Sequence, residues 1–112
     1  MDGSNIQTAN SQEIPCETDI PNFHLLGRGT GIDEKEFYII THSANDCYLK
    51  KQNPLSDAVC KQIKKVLGGE WMCFSMLVGA KGFDFSLNVV TGNDFLSFII
   101  DKVRFQVCRL RD

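Results

Sequence analysis

No stretch of this sequence stays apolar for the roughly 18 residues a bilayer span requires. The first 20 residues also lack the basic start and apolar middle of a secretory signal. A basic excess is missing: the net charge is −2 and the pI about 5.6. A chain that holds nucleic acid mainly by its phosphates usually carries surplus Lys and Arg, so that class is set aside. Cysteines at metal spacing are missing as well. Cys16, Cys47, Cys60, Cys73 and Cys108 form no CxxC, and His24 and His42 stand at ligand spacing from none of them. Cys47, Cys60, Cys73 and Cys108 instead fall within apolar patterns, as small buried thiols of a reducing compartment do. Finally, 112 residues leave room for one modest core, which excludes two catalytic lobes or a doubly wound sheet around a cofactor. The expectation is one cytoplasmic domain, with neither membrane nor nucleic acid as partner.

What is present is unevenly spread. Residues 1–20 hold Asp2, Glu13, Glu17 and Asp19 with no Lys or Arg, a charge of −4 that leaves +2 for the remainder. Ile6, Ile14 and Ile20 are the large aliphatic residues of this Ser-, Asn-, Gln- and Thr-rich stretch. Residues 1–20 therefore read as a disordered acidic N-terminal tail and 21–112 as the folded domain.

Within the domain, Asn22–Gly27 reads as a short strand closed by the turn residues Gly27–Gly31. Asp33 with Glu36 three residues on has capping-box spacing. Phe37, Ile40, Ala44, Cys47 and Tyr48 then follow at helical steps, with Lys50 and Lys51 expected in the last turn. Asn53 reads as the cap of a second helix, with Pro54 at its first position. That helix carries the apolar stripe Leu55, Val59, Ile63, Val66 and Leu67 opposite Lys61, Lys64 and Lys65, and Gly68-Gly69 ends it. Beyond Glu70 the period shortens to two. Trp71–Val78, Phe83–Val90, Phe95–Ile100 and Val103–Leu110 read as strands, the last two joined at Asp101-Lys102. The order is β-α-α-β-β-β-β, an α+β domain with two helices packed on an antiparallel sheet. Its expected core is Phe37, Ile40, Val59, Ile63, Trp71, Phe85, Phe98 and Phe105.

Catalytic chemistry finds little support. Gly27-x-Gly29-x-Gly31 echoes a dinucleotide loop, but its third glycine comes one residue early and no βαβ unit encloses it. A plain connecting turn is the simpler reading. Gly79-Ala80-Lys81-Gly82 has a GxxG form but links two strands, as a hairpin turn would. His42 has Asp46 four residues on, a common pairing on helix surfaces. No enzyme and no cofactor is implied. The remaining candidate is a strand, Phe83–Val90, with aromatic and polar residues in alternation. At a sheet edge its free backbone groups would pair with an extended peptide.

The ordered set Ile63-Lys64-Lys65, Trp71-x-Cys73, Val78-Gly79, the aromatic strand at Phe83 and Phe95-x-x-Phe98 resembles the small homodimeric dynein light chains, across about residues 22–110. The resemblance implies a two-fold dimer that exchanges strands and takes partner peptides as an added strand. On this chain the peptide groove would be Phe83, Asp84, Phe85, Ser86, Leu87 and Asn88, joined by Phe95 and Ser97. The dimer interface would involve Met72, Cys73, Phe83 and Phe85. Implied partners are extended segments of disordered proteins, the dynein intermediate chain among them, in cytoplasmic complexes on the microtubule cytoskeleton. Alternatives are a structural component whose groove is self-occupied or inert, and a small nucleotide-binding or enzymatic domain. Departures from the family pattern are Asp84 for a glycine, Ser97 and Ile99 for groove tyrosines, Ser56 and Asp57 for a charged pair, and Met72 for an interface histidine.

Overall fold

The computed structural model describes residues 18–79 and 93–110. In chain order they form β1 (Phe23–Arg28), α1 (Glu34–Leu49), α2 (Leu55–Leu67), β2 (Glu70–Leu77), β3 (Phe95–Ile100) and β4 (Val103–Leu110). The four strands make one antiparallel sheet in the order β1-β3-β4-β2. The expected strand Phe83–Val90 lies outside the described residues.

Local chemistry accounts for most of the element ends. Asp33 Oδ1 accepts the Glu36 N–H at 2.7 Å, and Glu36 Oε1 accepts the Asp33 N–H at 3.0 Å, so the capping box forms as expected. Such a cap is worth about 1 kcal/mol. At the other end α1 stops at Leu49, so Lys50 is the C-cap and Lys51 lies beyond it with φ 54°. The expected basic last turn is therefore one residue short of those lysines. Pro54, and not Asn53, occupies the N-cap of α2, after a cis Asn53-Pro54 bond and without a side-chain cap. Gly68 and Gly69 end α2 at φ 75° and 81°, a region costly for any residue with a Cβ. Asp101 turns the β3–β4 hairpin at φ 56°, and its N–H donates to the Asn22 carbonyl at 3.1 Å.

Because directly paired residues share a face, the register sorts every strand position. Phe23, Leu25, Leu96, Phe98, Ile100, Val103, Phe105, Val107 and Trp71 point toward the helices. There they meet Phe37, Ile40, Ala44 and Cys47 of α1 and Val59 and Ile63 of α2. Seven of these are sealed to 0% exposure, Phe98 and Val107 among them. Burying an aliphatic or phenyl side chain completely stabilises by about 1.5–3 kcal/mol. Seven of the eight expected core residues lie in this cluster, and Phe85 is outside the described residues. Two assignments change, one in the N-terminal segment and one in the α2 stripe. Ile20 is buried in the core, so packed chain begins before residue 21. Val66, in the last turn of α2, is 56% exposed and lies outside the packed core, although its helical position is close to that of Val59.

Arg109 ties the far end of the sheet to the helix layer. Its Nη1 donates to Glu36 Oε2 at 2.7 Å, its Nη2 to the Gly31 carbonyl at 3.1 Å, and the guanidinium lies 4.8 Å over the Trp71 ring. Asp94 completes the charge set at 3.7 Å.

Candidate functional site

The two helices leave the other sheet face without a helix among the described residues, and three rows of side chains cross it. His24, Ile99, Arg104 and Met76 form one row. Gly27, Ser97, Gln106 and Phe74 form the next, and Phe95, Cys108 and Met72 the third. The middle row is polar at its centre: Ser97 Oγ donates to Gln106 Oε1 at 3.3 Å, with exposures of 4% and 6%. Around that bond the face is mixed: Met76, Ile99, Phe74, Phe95, Cys108 and Met72 are apolar, and His24 and Arg104 stand among them. Met72, on the outer strand β2, is 41% exposed.

The structure places the expected site residues unequally. Phe95, Ser97 and Met72 come together on this helix-free face. Cys73, the next residue along β2, must point the other way and packs against the core beside the helices. Burial, then Cys60 and Cys108 nearby, drives its thiol far above the ordinary range. Phe83, Asp84, Phe85, Ser86, Leu87 and Asn88 lie outside the described residues. Met72 and Cys73 therefore do not share a surface, although both were expected at one interface. Sequence reasoning missed Met76 and Cys108, which share the face with Met72; Ile99, read as a departure at a groove-tyrosine position, lies on that face too. The period-2 alternation of β2, β3 and β4 carries that signal, but only the register shows which alternate set is free of helices.

The glycine run has a structural explanation. Gly29 N–H donates to the Phe95 carbonyl at 2.9 Å and Gly31 N–H to the Asn93 carbonyl at 2.8 Å. A Cβ at Gly29 would collide with the Asn93 carbonyl, and one at Gly31 with the Asp94 carboxylate. At Gly27 a Cβ would press on the Phe95 ring at 3.3 Å. The glycines thus let β1 approach the start of β3 and seat Phe95 at the rim of the open face. Their role is close backbone approach.

His42 and the buried thiols Cys47 and Cys108 have structural explanations as well. His42 Nε2 meets Asp19 Oδ1 at 2.7 Å, and its Nδ1 the Tyr38 carbonyl at 2.8 Å, while Asp46 pairs with Lys50 at 3.2 Å. The expected His42–Asp46 pairing is thus replaced on both sides. The hydrogen bond from His42 holds the Asp19 carboxyl below its usual value. Burial pushes the Cys47 and Cys108 thiols up. Among the described residues no cluster of three or more His, Cys, Asp or Glu is arranged to hold a metal ion. Among them, too, no helix is long and apolar enough to cross a membrane.

Two solved structures share this architecture. Both are of the dynein light chain-like domain of the calcium binding protein FhCaBP2 from Fasciola hepatica. A mercury derivative aligns with a TM-score of 0.58 over 88% of this chain and 100% of that one, at 10% identity. The fold is dynein light chain-like. A native form of the same domain gives a TM-score of 0.56 over 80% of this chain and 91% of that one, again at 10% identity. No family model matches the sequence, and no curated protein does. What the dynein light chain-like fold shares across this distance is its backbone plan, two helices on one face of a β1-β3-β4-β2 sheet.

Proposed function

We propose that this chain is a non-enzymatic binding module that pairs with a second copy of itself and takes extended partner peptides by strand addition. The observation that carries the reading is the helix-free face, with Met72, Met76, Ile99 and Phe95 around the Ser97–Gln106 bond and, among the described residues, β2 as its outer strand. Two copies meeting there would remove Met72, Met76 and Ile99 from water together, whereas one copy alone leaves Met72 41% exposed. An outer strand supports the second half of the reading, since strand addition needs a sheet edge. The groove on this reading is Phe83, Asp84, Phe85, Ser86, Leu87 and Asn88 with Phe95 and Ser97. Its ligands are extended segments of otherwise disordered proteins, the dynein intermediate chain being the first to try, in cytoplasmic complexes on the cytoskeleton. Backbone pairing supplies affinity with little demand on sequence, and a dimer raises the effective affinity for two linked peptides.

Capture from a peptide array by the full chain tests this reading. Phe83→Ala and Asp84→Pro should each reduce capture while the thermal midpoint stays within a few degrees of the starting protein. Undiminished capture by both variants would remove this groove from consideration.

A further inference from the structure

A second unpartnered surface lies on the opposite side of the molecule, on the outer faces of α1 and α2. Tyr38, Leu49 and Val66 are 60%, 66% and 56% exposed there. They line an open groove of about 400 Å³ between the helices, which also takes in His42, Asp46 and Gln62. Gln62 and Val66 line a second depression as well, so the groove continues across α2 to Lys61 and Lys65. Three exposed apolar side chains along one groove are more than a scatter of single surface residues and ask for a cover.

We propose that the α1/α2 groove is the docking site of residues 1–17 of this same chain. Three observations select that occupant. The chain enters the described structure at the groove itself, where Asp19 is held by His42 at 2.7 Å and the His42 ring stacks on Tyr38 at 3.9 Å. Charge adds a local match: Asp2, Glu13 and Glu17 have no Lys or Arg in their own segment, and the groove's carboxylates Asp46 and Asp57 are already paired with Lys50 and Lys61. Lys65, at the groove's far side, has no ion-pair partner among the described residues. The reach also fits. Ile14 precedes Asp19 by five residues, a span of up to about 17 Å when extended. His42 and Leu49 are seven helical residues apart, about 10 Å. Ile14 and Ile6 would then supply the aliphatic cover, and tethering at Asp19 gives the segment a high effective concentration over the groove. This inference is independent of peptide capture on the sheet.

Nicking of the full chain by a glutamyl endopeptidase, followed by mass spectrometry, tests it. Glu13 and Glu17 should be cut slowly in the starting protein. In Leu49→Asp and Val66→Asp, both at exposed positions, cutting at these two sites should accelerate roughly tenfold. Lys65→Glu, which removes charge attraction without touching the apolar residues, should accelerate it less. Glu70 serves as the internal control, and an unchanged thermal midpoint shows that the variants are folded. Equal cutting of Glu13 and Glu17 in all four proteins would overturn the proposal. Protection that grows with protein concentration would overturn it too, by assigning the groove to a second copy.

Discussion

The two faces of the sheet are built from alternate residues of the same strands, yet they are solved differently. On the helix side, Leu96, Phe98, Phe105 and Val107 are sealed to 1% exposure or less by α1 and α2. On the other side the centre is a Ser97–Gln106 hydrogen bond and the margin is an exposed Met72. A face that folds the protomer needs apolar side chains fitted to known neighbours. A face proposed for a partner must be tolerable when wet, and a satisfied polar pair among mixed apolar and polar side chains meets that condition. The difference teaches where the stability of this small domain resides and where the proposed recognition would fall.

The comparison breaks most visibly on the helix side. Phe98→Ala removes a ring stacked on Phe23 and Phe105 at centroid distances of 5.5 and 5.3 Å. It should cost about 3–5 kcal/mol, read as a lowered denaturant midpoint. A loss below about 1 kcal/mol would mean that the core is not where the burial pattern puts it. Arg109→Ala comes next. It strands Glu36 at 15% exposure and uncovers Trp71. A loss of about 3 kcal/mol is expected, with Trp71 fluorescence shifting toward that of a wetter indole.

On the open face the expectation reverses. Met72→Glu should change protomer stability by no more than about 0.5 kcal/mol, because Met72 lies on an outer strand at 41% exposure and a longer polar side chain can reach water there. Its effect should appear in self-association, as a solution mass that falls toward the monomer. The smallest expected effect is chemical. Burial raises the thiols of Cys47, Cys73 and Cys108, which shrinks their thiolate fraction at neutral pH. Alkylation of these three should therefore be slow at pH 7 and speed up as the pH rises above the free-thiol value near 9. Rapid labelling of Cys73 at pH 7 would contradict its placement against the core.

Much of the helix side was legible in the sequence, because its signals are local. The Asp33–Glu36 box, the steps Phe37–Ile40–Ala44 and the two-residue hairpin at Asp101-Lys102 each fix an element from residues a few positions apart. Strand ends were read within one residue for the same reason, as with Asn22–Gly27 against the observed Phe23–Arg28. What escaped depends on distant partners. Arg109 gains its role from Glu36 and Gly31, 73 and 78 residues away. The Gly27–Gly31 run acquires meaning only when Asn93 and Phe95 are brought against it. Ile20 looked like part of an acidic tail because nothing near it in the chain shows that the core has a place for it. The open face was half legible: the family resemblance put Met72, Phe95 and Ser97 at a groove or interface, and the register sets those three on one face while Cys73 points to the other.

The most direct test of the central claim is solution mass by light scattering across a dilution series of the full chain. A mass near twice 12.6 kDa that persists on dilution, and that Met72→Glu abolishes, is the result expected if the open face is where two copies meet. A mass that stays at 12.6 kDa at every concentration would contradict it, and the dynein light chain-like fold would then serve this chain without the two-copy mechanism.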